Sequence, residues 1–228
     1  EGGTGTDHLG IVLSSHTNDL IINLGTGQGA GASWTGIERL TGELGSGNDT
    51  VTAAMQLDYL HGGSGTDRLI ADYSGTLTDG RGVTALYLAA STNNNQQATL
   101  SDGSTVQFGL YGFEGFDIIG TAGNDMINGG NAGNHLQGRD GNDALYGGSG
   151  ADTLEGGSGD DNLYGGGGSD TLTGGSGDDL FDQVRSGDTV DGGSGNDLLT
   201  FDFSAQTAGV AVDIWSGAGT GASWTGVE

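Results

Sequence analysis

Residues 120–200 decide the fold, because they divide into nine consecutive nonapeptides with no residue inserted or lost: GTAGNDMIN, GGNAGNHLQ, GRDGNDALY, GGSGADTLE, GGSGDDNLY, GGGGSDTLT, GGSGDDLFD, QVRSGDTVD and GGSGNDLLT. Position six is Asp in eight of these units and Asn134 in the other. Position eight is always apolar, from Ile127 to Leu199. A strict short period of this kind indicates a solenoid, in which each repeat packs against its neighbours.

The spacing inside one unit predicts a strand followed by a turn. In a three-residue strand at positions seven to nine, alternation points position eight inward and its two neighbours outward. Positions one to six predict a turn, since glycine permits positive φ and a close approach of neighbouring backbones. Two units, or 18 residues, then close one coil, so that residues 18 apart stack.

This stacking places acidic side chains in two columns, one along each edge of the solenoid. One column contains Asp125, Asp143, Asp161, Asp179 and Asp197, and the other contains Asn134, Asp152, Asp170 and Asp188. Stacked carboxylates would repel each other, and calcium, which takes six to eight oxygen ligands, suits the gap between them. The two columns allow at most seven ions. The weakest sites are expected between Asn134 and Asp152 and at the glycine-poor turn that ends in Asp188.

A shorter block with the same period lies at residues 44–70, which read LGSGNDTVT, AAMQLDYLH and GGSGTDRLI. Asp49 and Asp67 are 18 apart in glycine-bearing turns, and they predict an eighth site. The turn that leads to Asp58 has no glycine, so it is predicted to be a degenerate turn without metal.

The complete GGxGxD motif occurs five times in the main block, and the chain here resembles the RTX (repeats-in-toxin) family of secreted bacterial proteins. The resemblance implies an all-β, right-handed parallel β-roll with calcium-filled turns, here interrupted by wider coils of β-strand. It also implies that each of about eight ions is held by two stacked Asp side chains and by backbone carbonyls. Those carbonyls belong to positions one and three of one turn and two and four of the next. The implied carbonyl ligands are Gly120, Ala122, Gly123, Gly138, Asp140, Gly141, Gly148, Gly150, Gly156, Ser158, Gly159, Gly166, Gly168, Gly175, Gly177, Gly193 and Gly195.

Composition excludes several other classes of protein. The 228 residues include 51 Gly and no Cys, so there is neither a disulfide framework nor a thiolate metal site. A net charge of −25 excludes nucleic-acid binding through phosphate neutralisation. No apolar run approaches the length of a membrane span. So many carboxylates at fixed turn positions indicate a chain that is disordered until calcium binds.

The remaining residues divide the chain further. We expect a β-rich continuation of a preceding repeat unit at 1–43, a short roll at 44–70, a β-rich linking segment at 71–119 and the main roll at 120–200. Residues 201–228 should start another β-rich module, because GASWTGIE at 31–38 recurs as GASWTGVE at 221–228. The chain is therefore expected to be an excerpt of a longer multi-module protein.

Two details of these segments are predicted as well. In the linking segment, Val83–Leu88 and Val106–Leu110 are predicted as strands and Ser91–Gln97 as an exposed loop. The glycine-rich residues 25–31 superficially resemble a phosphate-binding loop. However, such a loop must open a helix, so a flexible connection is favoured.

The function predicted from the sequence is that of a calcium-binding RTX segment of a large secreted protein. It would fold on extracellular calcium after type I secretion and serve as a structural or adhesive surface module, such as part of an adhesin or a surface layer. The alternative is an accessory secretion, folding or carbohydrate-binding domain of a secreted enzyme or toxin. The expected partners are calcium, neighbouring modules of the same protein and, as a candidate, cell-surface polysaccharide. No motif in the sequence indicates catalysis.

Overall fold

A computed structural model describes residues 8–13, 15, 17–23, 28–29, 32–33, 39–53, 57–75, 83–88, 96–101, 103, 105–204, 212–213, 218–219 and 223–226. All regular structure within these residues is β-strand. The strands that precede the main roll are β1 (His8–Val12), β2 (Ile21–Asn23), β3 (Gln28–Gly29), β4 (Ala32–Ser33), β5 (Arg39–Glu43), β6 (Thr50–Ala53), β7 (Leu57–His61), β8 (Arg68–Asp72), β9 (Val83–Leu88), β10 (Gln96–Leu100), β11 (Thr105–Tyr111) and β12 (Gly115–Ile119). The later strands are β13 (Met126–Asn128), β14 (His135–Asp140), β15 (Ala144–Ser149), β16 (Thr153–Ser158), β17 (Asn162–Gly167), β18 (Thr171–Ser176), β19 (Leu180–Val184), β20 (Thr189–Ser194), β21 (Leu198–Phe201), β22 (Val212–Asp213), β23 (Ala218–Gly219) and β24 (Ser223–Thr225).

The strands form two sheets, and successive strands of the main roll alternate between them. The first sheet has the order β1-β5-β7-β11-β10-β9-β13-β15-β17-β19-β21, and the second has the order β22-β23-β24-β20-β18-β16-β14-β12-β8-β6-β2-β3-β4. Neighbouring strands within the roll are parallel and offset by 18 residues, as in the pairs Leu145 with Leu163 and Leu154 with Leu172. This register confirms a parallel β-roll in which two nonapeptides close one coil.

The core is the column of position-eight side chains that the sequence predicts. Eight of the nine are at most 1% exposed, namely Ile127, Leu136, Leu145, Leu154, Leu163, Leu172, Phe181 and Val190. Leu199 is partly buried at the end of the column. Because each coil contributes only two large apolar side chains, the core is narrow, and the coils are held together mainly by stacking on their neighbours.

The strands of the roll are longer than predicted, so the division into three strand residues and six turn residues was wrong. In β15, for example, the ladder continues through positions one to three of the next unit, where Gly148 pairs with Gly166. Gly148 keeps a positive φ of 105° there, which only glycine adopts at low cost. The backbone therefore makes inter-coil hydrogen bonds in residues that the glycine content indicated as turn.

The linking segment widens one coil of the roll by adding strands to the first sheet. The predicted strand Val83–Leu88 is confirmed as β9, and the predicted Val106–Leu110 lies inside β11. The prediction of a loop through Ser91–Gln97 was wrong at its end, because Gln96 and Gln97 begin β10, which pairs antiparallel with both β9 and β11. The rest of that predicted loop, residues 91–95, lies outside the described residues. β11 then joins β7, and β9 joins β13, in parallel. Three strands thus stand where a regular coil supplies one.

The N-terminal strands continue the two sheets, since β1 pairs with β5 and β2 pairs with β6 in parallel. Within the glycine-rich residues 25–31, Gln28–Gly29 form β3, an antiparallel neighbour of β2, rather than a phosphate-binding helix start. The degenerate turn predicted through Asp58 ends earlier than predicted, because β7 already begins at Leu57, and residues 54–56 lie outside the described residues. No helix in the described part of the chain has the length and apolar character needed to cross a membrane.

Candidate calcium-binding sites

Along each edge of the roll, the position-six residues form a hydrogen-bonded ladder. The backbone N–H of each residue donates to Oδ1 of the residue 18 positions later, at distances of 2.7–3.0 Å. We call the first column the long ladder (Asp125, Asp143, Asp161, Asp179 and Asp197) and the second the short ladder (Asn134, Asp152, Asp170 and Asp188). The predicted stacking of these side chains at 18-residue intervals is therefore observed. All nine residues are buried, with at most 3% of their surface exposed.

The second carboxylate oxygen has no hydrogen-bond donor in most members of the two ladders. Oδ2 is buried and without a donor in Asp143, Asp152, Asp161, Asp170, Asp179 and Asp197. A buried polar group without a partner costs free energy, and a buried charge costs far more unless an opposite charge or a metal is present. These oxygens are therefore the strongest indication in the structure that a ligand belongs in the gaps.

Five of these six oxygens, all except that of Asp170, lie near a backbone carbonyl oxygen in a space that a glycine at position one leaves open. A Cβ placed on Gly156 would overlap both Asp161 Oδ2 and the carbonyl oxygen of Gly174. The same arrangement recurs one turn away at Gly138, where a Cβ would overlap Asp143 Oδ2 and the Gly156 carbonyl oxygen. Carboxylate and carbonyl oxygens directed at a common point are the donor set that calcium prefers.

The other implied carbonyl ligands lie in the same turns. Positions two and four have positive φ throughout the regular coils, at Gly141, Gly148, Gly150, Gly159, Gly166, Gly168, Gly175, Gly177, Gly193 and Gly195. At position three, Asp140 and Ser158 pair at the ends of β14 and β16, and the Ser158 carbonyl also accepts the N–H of Gly141. Gly120, Ala122 and Gly123 form the turn that leads to Asp125. No three His, Cys, Asp or Glu side chains converge in the described residues, so an ion here depends on carbonyl oxygens.

Burial raises the pKa of several carboxyls in the two ladders. It raises the pKa of Asp143 to about 7, and that of Asp161, Asp170 and Asp179 to about 6. The charges of stacked neighbours add to the effect, for example that of Asp179 on Asp161. The backbone N–H that each group accepts works in the opposite direction but is weaker. Without a cation, these four carboxyls therefore keep their protons to a higher pH in the folded roll than in an unfolded chain.

Asn134 fills its gap with its own amide group. Its Nδ2 donates to the carbonyl oxygens of Ala132 (2.7 Å) and Gly147 (2.8 Å) and to Oδ1 of Asp152 (2.8 Å). Its Oδ1 accepts the N–H groups of Phe116 and Gly130, so a flipped amide would oppose donor to donor. The amide nitrogen thus occupies the place between carbonyl and carboxylate oxygens where the neighbouring gaps present Oδ2.

At the far end of the short ladder, Arg185 occupies the turn before Asp188. Its backbone N–H donates to Asp188 Oδ2 at 2.7 Å, and its guanidinium donates to the Gly166 carbonyl oxygen at 2.6 Å. Gly166 supplies one of the implied calcium ligands, so this carbonyl already has a cationic partner. At the start of the long ladder, both carboxylate oxygens of Asp125 accept hydrogen bonds from Thr121. The amino-acid sequence shows Arg185 and Thr121 but not that they contact the ladders.

The short roll carries a third ladder. Leu20 N–H donates to Asp49 Oδ1, Asp49 N–H donates to Asp67 Oδ1, and Asp67 N–H donates to Oε2 of Glu114. Asp49 and Asp67 are buried like the members of the main roll, as the predicted eighth site requires. Glu114 was not among the predicted site residues, because it follows Asp67 by 47 residues instead of 18.

Fold and site together define a class of protein: a parallel β-roll whose turns hold stacked, buried Asp side chains with oxygen atoms directed at common points. The model of the RTX calcium-binding nonapeptide repeat family matches residues 36–72, 119–154, 146–181 and 186–202, which together cover just over half of the chain. The chain therefore belongs to the RTX calcium-binding repeat family, as its motifs predicted. The roll of this family is a structural calcium-binding module and not a catalytic one. No curated protein matches the chain.

Proposed function

We propose that this chain is a calcium-dependent folding module of a large secreted bacterial protein, in which it serves as a structural or adhesive segment at the cell surface. Proteins with RTX repeats are typically exported by type I secretion systems. Calcium outside the cell would then complete the folding of a chain that leaves the cell unfolded. The proposal assigns calcium as the ligand of the module and neighbouring modules of the same protein as its partners.

The observation that carries the proposal is the set of buried Asp Oδ2 atoms without donors. In a chain with a net charge of −25, the ladders bring carboxylates together in the least hydrated part of the turns. A divalent cation would neutralise two stacked carboxylates and use the carbonyl oxygens of both turns at once. Because each carboxylate between two gaps serves both of them, binding in one gap orders a turn that the next gap needs.

The structure supports some of the predicted sites more strongly than others. We propose that calcium occupies the gaps Asp143–Asp161, Asp161–Asp179, Asp179–Asp197 and Asp152–Asp170, in which the earlier residue has an unpartnered Oδ2. The Asp49–Asp67 gap belongs to the same proposal on the basis of its stacking. The gaps beside Asp125 and Asp188 would bind more weakly, since Thr121 and Arg185 already satisfy part of their oxygens. The Asn134–Asp152 gap would bind no ion, because the amide fills it.

Carbohydrate binding receives less support. Tyr146 and Tyr164 are neighbours on the outer face of the first sheet, with ring centroids 6.2 Å apart. Their planes are tilted by 56°, so the pair offers no flat surface on which a sugar ring would stack. We therefore base the proposed role on calcium-dependent structure alone.

Circular dichroism of the purified chain tests the proposal. In excess chelator at pH 7.5 the spectrum should be that of a mostly disordered chain, and millimolar calcium should restore the β-sheet signal cooperatively. Magnesium at the same concentration serves as the control, because its short, octahedral coordination suits a carbonyl-rich gap poorly. A full β-sheet spectrum in chelator would contradict the proposal. Antibodies raised against the chain, applied to intact cells of its source, would test the surface location.

A further inference from the structure

The geometry points to a calcium site that the nonapeptide pattern does not contain, between Asp67 and Glu114 at the junction of the short roll and the main roll. It rests on the proposed function, because it requires that the chain bind calcium at all. The family match ends at residue 72 and resumes at 119, so Glu114 lies outside the matched repeats.

Strand pairing brings the two turns together across the inserted hairpin. β11 lies beside β7 with Leu110 opposite Leu60 and Tyr111 opposite His61, which stacks the following residues, Gly112 and Gly62. At the other end of the turns, β12 lies beside β8 with Gly115 opposite Arg68. Gly112 to Glu114 therefore form the turn that stacks on Gly62 to Asp67, although the two turns are far apart in sequence.

The hydrogen bonds around Glu114 are those of a ladder member. Asp67 N–H donates to Glu114 Oε2 at 2.8 Å, just as Asp49 N–H donates to Asp67 Oδ1 at 2.7 Å. Gly115 N–H donates to the Asp67 carbonyl at 3.0 Å, as Arg68 N–H donates to the Asp49 carbonyl at 2.8 Å. Glu114 thus takes the place that position six holds in a regular coil.

The gap also contains an oxygen without a donor. Asp67 is completely buried, and its Oδ2 has no hydrogen-bond partner. A Cβ placed on Gly62 would overlap both Asp67 Oδ2 and the Gly112 carbonyl oxygen, the same pair of atoms that flanks Gly138 and Gly156 in the main roll. Asp67 Oδ2, the Gly112 carbonyl and the Glu114 carboxylate are therefore the ligands that this gap offers to calcium.

The length of the turn explains why this position is Glu. The turn from Gly112 to Glu114 has three residues where Gly62 to Asp67 has six, and its middle residue, Phe113, is buried. With the glycine-rich half of the turn missing, a side chain longer by one methylene reaches the ladder. β12 is also the strand at which the register changes, since Phe116 N–H already donates to Asn134 of the short ladder. An ion at Glu114 would therefore connect the end of the ladder of the short roll to β12, the strand from which the short ladder continues.

The test is the number of calcium ions bound per chain at saturation, measured by equilibrium dialysis of the full chain with radioactive calcium. Glu114→Gln should bind one ion fewer than the wild type, and Asp67→Asn two fewer, because Asp67 serves the gaps on both sides. Glu43→Gln is the matched control, since Glu43 is exposed on β5, and this variant should bind as many ions as the wild type.

The outcomes separate this site from the proposed function. A wild type that binds no calcium overturns both. If the wild type binds calcium but Glu114→Gln and Glu43→Gln bind equal numbers of ions, only the Asp67–Glu114 site is wrong. Should Glu114→Gln not fold in calcium, hydrogen exchange of the wild type decides. The amides of 112–115 should gain protection on calcium titration, and unchanged exchange at saturating calcium would refute the site.

Discussion

The sharpest prediction compares two neighbouring carboxylates that differ only in burial. Asp161 and Asp160 each accept one backbone N–H from a coil 18 residues away, at 2.8 Å from Asp143 and at 2.9 Å from Asp178. Asp161 is 2% exposed and stands between two gaps, whereas Asp160 is exposed to solvent. Asp161→Ala and Asp160→Ala therefore remove the same charge and the same type of hydrogen bond, and only the former removes a ligand from proposed calcium sites.

The expected magnitude follows from binding linkage. For an extracellular-type site with a Kd of about 10⁻⁴ M, about 10 mM calcium stabilises the folded state by about 2.7 kcal/mol per ion. Losing both ions next to Asp161 should therefore cost about 5 kcal/mol, which lowers Tm by about 10–20 °C in a chain of this size. Asp160→Ala should change the free energy of unfolding by no more than about 0.5 kcal/mol.

Thermal unfolding followed by circular dichroism measures this difference, and calorimetric titration gives the number of ions. Asp161→Ala should bind two ions fewer and need more calcium to fold, while Asp160→Ala should match the wild type in both. In chelator, Asp161→Ala should be the more stable of the two variants. It removes a buried carboxyl whose pKa is raised to about 6 and which is costly to ionise at pH 7.5. Equal ion numbers and equal midpoints in the two variants would refute the ladder model of the site.

Three further predictions follow from the same geometry. In chelator, the chain should gain β-structure on acidification from pH 7 to pH 4. The folded-state pKa values of Asp143, Asp161, Asp170 and Asp179 are about 6–7, above the usual 3.8. The contribution of these carboxyls to stability is therefore complete below the unfolded-state pKa and is lost as the pH rises through the folded-state pKa. In calcium, β-structure should instead be lost on acidification, since carboxylates must lose their protons to bind the ion. A circular dichroism signal in chelator that does not change with pH would contradict this account. Asn134→Asp should add one ion to the calorimetric stoichiometry, because it replaces the amide nitrogen with an oxygen. Asn142→Asp, at an exposed position five, is the control and should add none. An unchanged number of ions in Asn134→Asp would show that the amide does not exclude the ion. Gly156→Ala should abolish the Asp161–Asp179 site because its Cβ overlaps Asp161 Oδ2 and the Gly174 carbonyl oxygen. Gly167→Ala is the control and should bind calcium like the wild type, because its Cβ meets no atom closer than 4.0 Å. Equal calcium titrations of these two variants would show that the space beside Gly156 does not hold an ion.

The nonapeptide period carried most of the fold of the main roll. It predicted the inward column from Ile127 onwards, the 18-residue coil and the stacking of both Asp ladders, because a repeat that contacts only its neighbours leaves little for distant residues to decide. It did not predict the length of the strands. The glycines of positions one and two, as at Gly147 and Gly148, look like turn residues, but the adjacent coil gives their backbone a strand partner.

What the sequence by itself determined is therefore whatever repeats at a constant spacing: the roll, its core, the family and the ladder positions. Only the tertiary structure decided what happens where the spacing breaks. Glu114 joins Asp67 across an inserted hairpin, and Asn134 and Arg185 supply nitrogen donors to oxygens that calcium would otherwise use. The physical reason is that a ligand set is defined by distances in space. Sequence spacing reports those distances only while every coil has the same length, and the inserted strands β9 to β11 end that equivalence.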